Sequence, residues 1–268
     1  MVAYSLGNSA EQNIEDVLVL GENNPDILTY SRSKVINLYS YNEKKYSSIR
    51  IPYSTIKFCK NARAVGIREV VYEVFHRPDK SPLLRSRLDV WGFDSYDHYL
   101  YTICELGFLE GLIPVIDLGF LTPDELDRLS EVVAIVKVPI YSDFDLLMDK
   151  DSIRTLSRSL DIKTKLLSWS AKMNLPVSTG FYVHQGLDLK MIKDYIDLIA
   201  DTATNYNCVH EIVLQTNYRS PELNLSKPDF NKMEKIYHLV KEKLSAEIPV
   251  IIQNPTLKEC ELMIENGE

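Results

Sequence analysis

Cysteine is scarce in this chain and is never clustered. The 268 residues include four cysteines, Cys59, Cys104, Cys208 and Cys260. Because none of them lies within four residues of another, their spacing predicts no zinc knuckle, no redox pair and no iron–sulfur loop. Free cysteine is among the residues most often buried in protein cores. We therefore expect four separate, buried thiols.

The chain also lacks long apolar runs and an excess of basic residues. No apolar stretch approaches the roughly 20 residues that cross a membrane as a helix, and the N-terminus has no signal-peptide pattern. The formal net charge is −8 and the pI is about 5.3. An acidic protein of this kind is not expected to bind nucleic acid or an anionic membrane surface. We expect a cytoplasmic protein.

Apolar, β-rich runs alternate with amphipathic stretches of helical period along most of the chain. The predicted strands are 35–38, 69–74, 113–117, 134–138, 177–183, 211–215 and 249–253. The predicted helices are 54–64, 96–110, 123–132, 162–173, 189–206, 229–244 and 258–266. Near-continuous apolar strands predict a parallel sheet covered by helices. Seven strand–helix units without a glycine-rich phosphate turn favour an incomplete parallel (β/α) barrel of the TIM type over a doubly wound sheet.

The predicted barrel is a single domain that spans residues 28–268. Residues 1–27 are polar and are predicted to form an N-terminal extension with a short helix over 10–20. The segment 74–92, with two prolines and several arginines, is predicted to be a long loop. Loops after barrel strands form the active-site face, so its length favours a functional role.

Several segments resemble one enzyme family. They are T-Y-S-R at 29–32, G-F-D-S-Y-D-H-Y-L-Y-T-I-C-E-L at 92–106, E-G-L-I-P at 110–114, P-V-S-T-G at 176–180 and E-I-V-L-Q at 211–215. Their order and spacing are similar to the cyclising subunit of 7,8-didemethyl-8-hydroxy-5-deazariboflavin (FO) synthase, a radical-SAM enzyme of deazaflavin biosynthesis. The resemblance implies a radical-SAM type of barrel.

The family's three cluster cysteines are missing. Counted without gaps from Ser31, the positions of its C-x-x-x-C-x-x-C loop fall on Asn42, Tyr46 and Ile49, and no cysteine precedes Cys59. An amide, a phenol and an alkyl group do not replace soft thiolates on iron–sulfur. We therefore expect no iron–sulfur cluster and no metal site. The chain is predicted to be inactive in the radical reaction.

The loop that would seat S-adenosylmethionine is also altered, since only Gly180 and Gly186 match the family there. The family continues beyond the point that matches Gly267 into a substrate-facing tail, and we expect that part of its function to be lost as well. Binding of S-adenosylmethionine without cleavage stays open. The residues expected to form a surviving polar pocket at the strand ends are Ser178, Thr179, Gly180, Gly186, Gln215 and Asp117.

Two further pairs lie at predicted strand ends. His76 and Arg77 follow the second strand and could bind an anion, or could simply cap the strand as loop residues. His184 and Tyr182 end the fifth strand, where a histidine could act as an acid–base group or be a solvated loop residue.

The sequence leaves two classes of function open. The first is a non-catalytic paralogue that binds an intact synthase subunit, a small flavin-like ligand or S-adenosylmethionine. The second is a barrel enzyme repurposed for metal-free chemistry at the carboxyl ends of its strands, with His76, Asp117, His184 and Gln215 as the candidate groups.

Overall fold

The protein was analysed as a computed structural model. The described residues are 49–74, 79, 81–118, 121–140, 160–215, 226, 228–245, 247–253 and 255–266, together with short strands nearer the N-terminus.

Twelve strands are present in the described part of the chain. They are β1 (Tyr4–Ser5), β2 (Leu18–Val19), β3 (Leu28–Thr29), β4 (Ser31–Asn37), β5 (Tyr39–Asn42), β6 (Lys45–Ile49), β7 (Glu69–Val74), β8 (Ile113–Leu118), β9 (Ile135–Ile140), β10 (Val177–Tyr182), β11 (Val209–Gln215) and β12 (Val250–Ile252). Eight of them form one parallel sheet in the order β1-β4-β7-β8-β9-β10-β11-β12. The pairs β2–β3 and β5–β6 are antiparallel ribbons.

Eight helices are described. They are α1 (Pro52–Ala64), α2 (Pro82–Val90), α3 (Tyr96–Leu109), α4 (Pro123–Leu129), α5 (Leu160–Lys172), α6 (Leu189–Tyr206), α7 (Phe230–Lys243) and α8 (Leu257–Glu265). Sequence signals set several starts: Thr122 opens α4 and Thr256 opens α8, each in a capping box with the glutamate three residues later. None of the helices within the described ranges is both long and apolar enough to cross a membrane.

Each sheet strand presents one face to the helices and the other to the sheet's concave interior. On β9, Val136 and Val138 belong to a core cluster that includes Leu166 and Leu167 of α5. Ile135 instead joins a separate cluster with Val71 and Val115 on the neighbouring strands. Because side chains alternate along a strand, this division fixes which residues face inward.

The predicted incomplete (β/α) barrel is confirmed, since sequential parallel strands alternate with helices and the strand order is linear from β1 to β12 in the described residues. The seven predicted sheet strands and seven predicted helices are present with small shifts at their ends.

Three features differ from the sequence-based predictions. The segment 74–92 contains helix α2, because Pro82 occupies the first turn of a helix instead of extending a loop. Residues 18–19 are strand β2, so the predicted helix over 10–20 does not include them. Strand β1 lies within residues 1–27 and pairs with β4, so this segment adds an eighth strand to the barrel sheet.

The four cysteines are free and buried, as predicted. Cys59 on α1 and Cys104 on α3 lie in the helix-facing core around Tyr72, whose hydroxyl donates to the carbonyl of Ile103 at 2.9 Å. Burial raises the pKa of both thiols, which keeps them protonated and apolar in character. Gly107 allows this close packing, since a Cβ there would overlap the Tyr72 hydroxyl.

A buried carboxylate joins α3 to α4. The Asp97 side chain is 6% exposed and accepts a hydrogen bond from Arg128 Nε at 2.5 Å. Burial alone would raise the pKa of Asp97, but hydrogen bonds from Arg128 and Ser95 outweigh it and hold this pKa below its ordinary value.

Replacing this carboxylate is expected to lower the free energy of unfolding by an amount that depends on pH. Asp97→Asn is expected to lower the free energy of unfolding at pH 7 by about 1–3 kcal/mol, because a charge-assisted buried bond is lost. Since the folded pKa is depressed, the wild-type advantage is present above the unfolded pKa of about 3.9 and disappears as the pH falls through the folded value. Urea unfolding between pH 3 and 7 measures it. Asp94→Asn is the control, because the Asp94 side chain is 97% exposed; equal effects of the two substitutions would contradict the prediction.

Candidate functional site

Four charged or polar residues form one row across the barrel sheet. Asp117 on β8 is the register partner of Lys137 on β9, which pairs with Ser178 on β10, and Ser178 pairs with Glu211 on β11. Adjacent strands are about 4.8 Å apart, so these residues are immediate cross-strand neighbours. We refer to Asp117, Lys137, Ser178 and Glu211 as the polar layer.

The alternation of the strands directs the polar layer into the barrel. Lys137 lies between Val136 and Val138, which both face the helices. Glu211 precedes Ile212, which packs in the second helix-facing cluster. The row that contains Val71, Val115 and Ile135 forms an apolar floor two residues nearer the start of each strand. The polar layer therefore lies directly above that floor, near the carboxyl end of β8 but in the first half of β9, β10 and β11.

The two sides of the polar layer differ in burial. Ser178 and Glu211 are each 2% exposed, and the Ser178 hydroxyl donates to Glu211 Oε1 at 2.7 Å. Lys137 and Asp117 are partly exposed. Inward-facing side chains can be reached by water only if the interior is open at its mouth. The β8–β9 side is therefore partly reached by water, although Asp117 Oδ1 is buried, whereas the β10–β11 side is a closed hydrogen-bonded pair.

Only some of the predicted pocket residues lie in this interior. Asp117 and Ser178 are in the polar layer, and Gln215 lies at the inward position that ends β11, opposite Tyr182. Gln215 is 9% exposed. Thr179 does not join them, because it is on the alternate face and its hydroxyl donates to the carbonyl of Val138 at 2.9 Å.

The two predicted glycines have structural settings of their own. Gly180 has a φ of +141°, and a Cβ there would overlap the backbone of Val213 on β11. Glycine is required at this position by the sheet itself. Gly186 lies in an exposed turn after β10, where a Cβ would meet only His184 at an ordinary 3.5 Å.

The turn that contains Gly186 is fastened to the start of α7. Gln185 donates through its side chain to Asp229 at 3.1 Å and accepts from the Asp229 backbone at 2.9 Å. Lys232 donates to the carbonyl of Leu187 at 2.7 Å. The backbone N–H of Lys232 and the Gln185 amide lower the pKa of Asp229. This side of the barrel mouth is thus held in place by hydrogen bonds, with His184 partly exposed on it. The predicted residues His76 and Arg77 lie outside the described residues.

Sequence reasoning missed Lys137 and Glu211. Both lie within correctly predicted strands, and Lys137 is the single charged residue in the apolar run A-I-V-K-V-P-I at 134–140. A charge at an inward position of a barrel strand is the signal that could have identified it, because such positions are normally filled by bulky apolar residues.

The three residues that the sequence predicts at the family's cluster positions lie on the antiparallel β5–β6 ribbon. Asn42 ends β5, Tyr46 pairs with Tyr41, and Ile49 pairs with Tyr39. Ile49 is 4% exposed and belongs to the helix-facing core.

The residue after this ribbon is also held against the helices. The Tyr99 hydroxyl of α3 donates to the carbonyl of Arg50 at 2.6 Å. Within the described ranges, no group of three or more histidine, cysteine, aspartate or glutamate side chains has the geometry to hold a metal ion.

The chain is similar to curated proteins named 7,8-didemethyl-8-hydroxy-5-deazariboflavin synthase. It is 22% identical over 200 residues to the protein of Methanosphaerula palustris (70% of this chain and 60% of that one) and 23% identical over 205 residues to that of Methanothermobacter thermautotrophicus (74% and 62%). The Halobacterium salinarum protein is 20% identical over 278 residues (99% and 75%). The chain thus spans about three fifths of the length of the first two. These similarities support the family link. No protein-family model matches the chain.

Solved structures of low similarity were also found. An HpcH/HpaI aldolase from Desulfitobacterium hafniense is 9% identical with a TM-score of 0.48, covering 88% of this chain and 82% of that one. An N-acetylneuraminic acid synthetase from Leptospira borgpetersenii is 12% identical with a TM-score of 0.46, covering 94% and 75%. At these scores neither likeness bears on function.

The two glycines provide a matched pair of substitutions. Gly180→Ala is expected to destabilise the fold by about 3 kcal/mol or more, because the new Cβ overlaps the β11 backbone at a left-handed φ. Gly186→Ala is expected to change stability by no more than about 0.5 kcal/mol. Chemical denaturation of both variants measures the difference. A tolerated Gly180→Ala would contradict the strand packing described above.

Proposed function

We propose that this protein is a non-catalytic relative of the deazaflavin synthase cyclising subunit, which binds a small flavin-like ligand or an intact synthase subunit and does not cleave S-adenosylmethionine. The single observation that carries the proposal is the set of donors at the cluster positions. Asn42, Tyr46 and Ile49 supply no thiolate, and radical-SAM chemistry needs three thiolates to hold the cluster.

The surroundings of those positions support the same conclusion. An iron–sulfur loop must present its ligands to an open space, whereas Ile49 is buried among core residues. The four cysteines of the chain are buried as free thiols on other elements, and Cys59 lies on α1, beyond the ribbon. The residues present therefore do not fit a four-iron, four-sulfur cluster.

The link to deazaflavin biosynthesis rests on the curated relatives, which carry the synthase name at 20–23% identity. Because the chain spans only part of the first two, their activity is not transferred to it. What the relatives support is ancestry, and the barrel interior is where a retained ligand would lie.

Anaerobic reconstitution tests the loss of radical chemistry. The protein is incubated with iron and sulfide, desalted, and assayed by visible absorption and by release of 5′-deoxyadenosine from S-adenosylmethionine. We expect no stoichiometric cluster and no 5′-deoxyadenosine. The synthase of Methanothermobacter thermautotrophicus, treated in parallel, is the positive control. A stoichiometric cluster with cleavage in this protein would overturn the proposal.

The binding role has its own measurement. Calorimetric titration of the metal-free protein with S-adenosylmethionine, and separately with the deazaflavin product, tests a retained ligand. Co-purification with the control synthase tests a partner role. We expect saturable binding to at least one of these three. A complete absence of binding would leave the ancestry intact but contradict the proposed role.

The polar layer favours a second candidate function, metal-free chemistry inside the barrel. Asp117 and Lys137 are partly exposed, adjacent in register and of opposite charge type. Barrel enzymes keep their working groups toward the carboxyl ends of the strands, and Asp117 lies near that end of β8, with Lys137 beside it in the middle of β9.

A further inference from the structure

We propose that Lys137 is an imine-forming residue that captures a small aldehyde or ketone inside the barrel, with Asp117 beside it as the proton-transfer group. This inference rests on the second candidate function, and it assigns that site a nucleophile and a substrate class. Nucleophilic lysine amines react with carbonyl substrates when they are positioned in partly desolvated pockets.

The position of Lys137 carries the argument. It occupies an inward position of a central strand, which has four strands on one side and three on the other in the sheet order. A charged amine at this position destabilises the fold unless polar partners compensate its charge, because the cluster below the amine is apolar. Within the described residues, no carboxylate forms an ion pair with Lys137. The six ion pairs described there all join other side chains. Its amine is therefore not held by a structural salt bridge to a described side chain.

The neighbours supply the remaining chemistry. Asp117 is partly exposed on β8, with its Oδ1 atom buried in the barrel interior beside β9. On the other side, Ser178 is fixed by its 2.7 Å bond to Glu211. One flank of Lys137 is thus a fixed hydrogen-bonded pair, and the other flank is a carboxylate. A neutral hydroxyketone or aldehyde fits this flanking pair better than an anion does, because two carboxylates lie in the same row.

The covalent step balances without a cofactor. The Asp117 carboxylate takes a proton from the ammonium group of Lys137 through a bridging water, since the two groups are not in direct contact. The nitrogen lone pair then forms a bond to the carbonyl carbon while the π electrons move to oxygen, and a proton passes from this nitrogen to the oxygen to give a neutral carbinolamine. Asp117 gives its proton to the carbinolamine hydroxyl, which leaves as water when the C–O bond breaks, and the nitrogen lone pair forms the C=N bond. The net change is one ammonium and one carbonyl giving one protonated imine and one water.

Trapping with a mild reductant tests the inference directly. The protein is incubated with hydroxyacetone and sodium cyanoborohydride at neutral pH, and peptide mass mapping locates the reduced adduct. A ketone is chosen because surface lysines react with it slowly. We expect Lys137 to be modified at least about tenfold faster than Lys165, and Asp117→Asn to slow trapping by about tenfold or more, toward the low end of general acid–base contributions.

Lys165 is the matched internal control. It is a 52% exposed lysine with a carboxylate, Asp161, at 2.7 Å, but it lies on the surface of α5. Lys137→Arg keeps the charge and removes the adduct, and its thermal unfolding shows whether it folds. Peptide mass mapping of the wild-type protein shows whether Lys137 carries the adduct even if the Lys137→Arg variant does not fold. Adducts spread evenly over surface lysines, or no adduct at Lys137 above the level at Lys165, would overturn the inference.

The result of reductive trapping at Lys137 is independent of the result of iron and sulfide reconstitution. Failure of trapping with no cluster formed leaves the non-catalytic proposal standing. A functional cluster would overturn that proposal whatever Lys137 does.

Discussion

The alternation of side chains along parallel strands is the constraint on which the rest of this structure depends. Each sheet strand must place one set of residues against the helices and the other in the barrel interior. On β9 the helix-facing set is Val136 and Val138, packed against α5. The inward set is Ile135 and then Lys137, so an apolar floor and a polar layer follow from a shift of two residues.

The same constraint separates scaffold from site among residues that match the synthase family. Gly180 is required by the approach of β11, and Thr179 bonds to a strand carbonyl on the helix side. Ser178, between them in the chain, faces inward and bonds to Glu211. Neighbouring matches to a family motif can thus persist for different physical reasons. The ribbon at 39–49 shows the complementary case, because Ile49, which the sequence predicts at a cluster position, contributes to the core.

Much of the fold was predictable from the sequence, because apolar periodicity and capping residues are local signals. The strand 69–74 and the helix 189–206 were predicted with the observed bounds. The sequence does not predict helix α2, because Pro82 in an arginine-rich segment favours a loop, or β1, because two residues carry no periodicity. For the site, the family resemblance and the predicted strand ends suggest Asp117, Ser178 and Thr179. Only the strand register shows that Thr179 is outside and that Lys137 is inside.

The most direct test of this account is the accessibility of three consecutive positions on β9. Val136→Cys, Lys137→Cys and Val138→Cys are made singly, and the rate of alkylation by a small maleimide is measured under native conditions, with the four buried native thiols as background. The account predicts rapid labelling at position 137 and strong protection at 136 and 138. Equal rates at the three positions, or faster labelling at 136 or 138, would contradict an open barrel interior that contains Lys137.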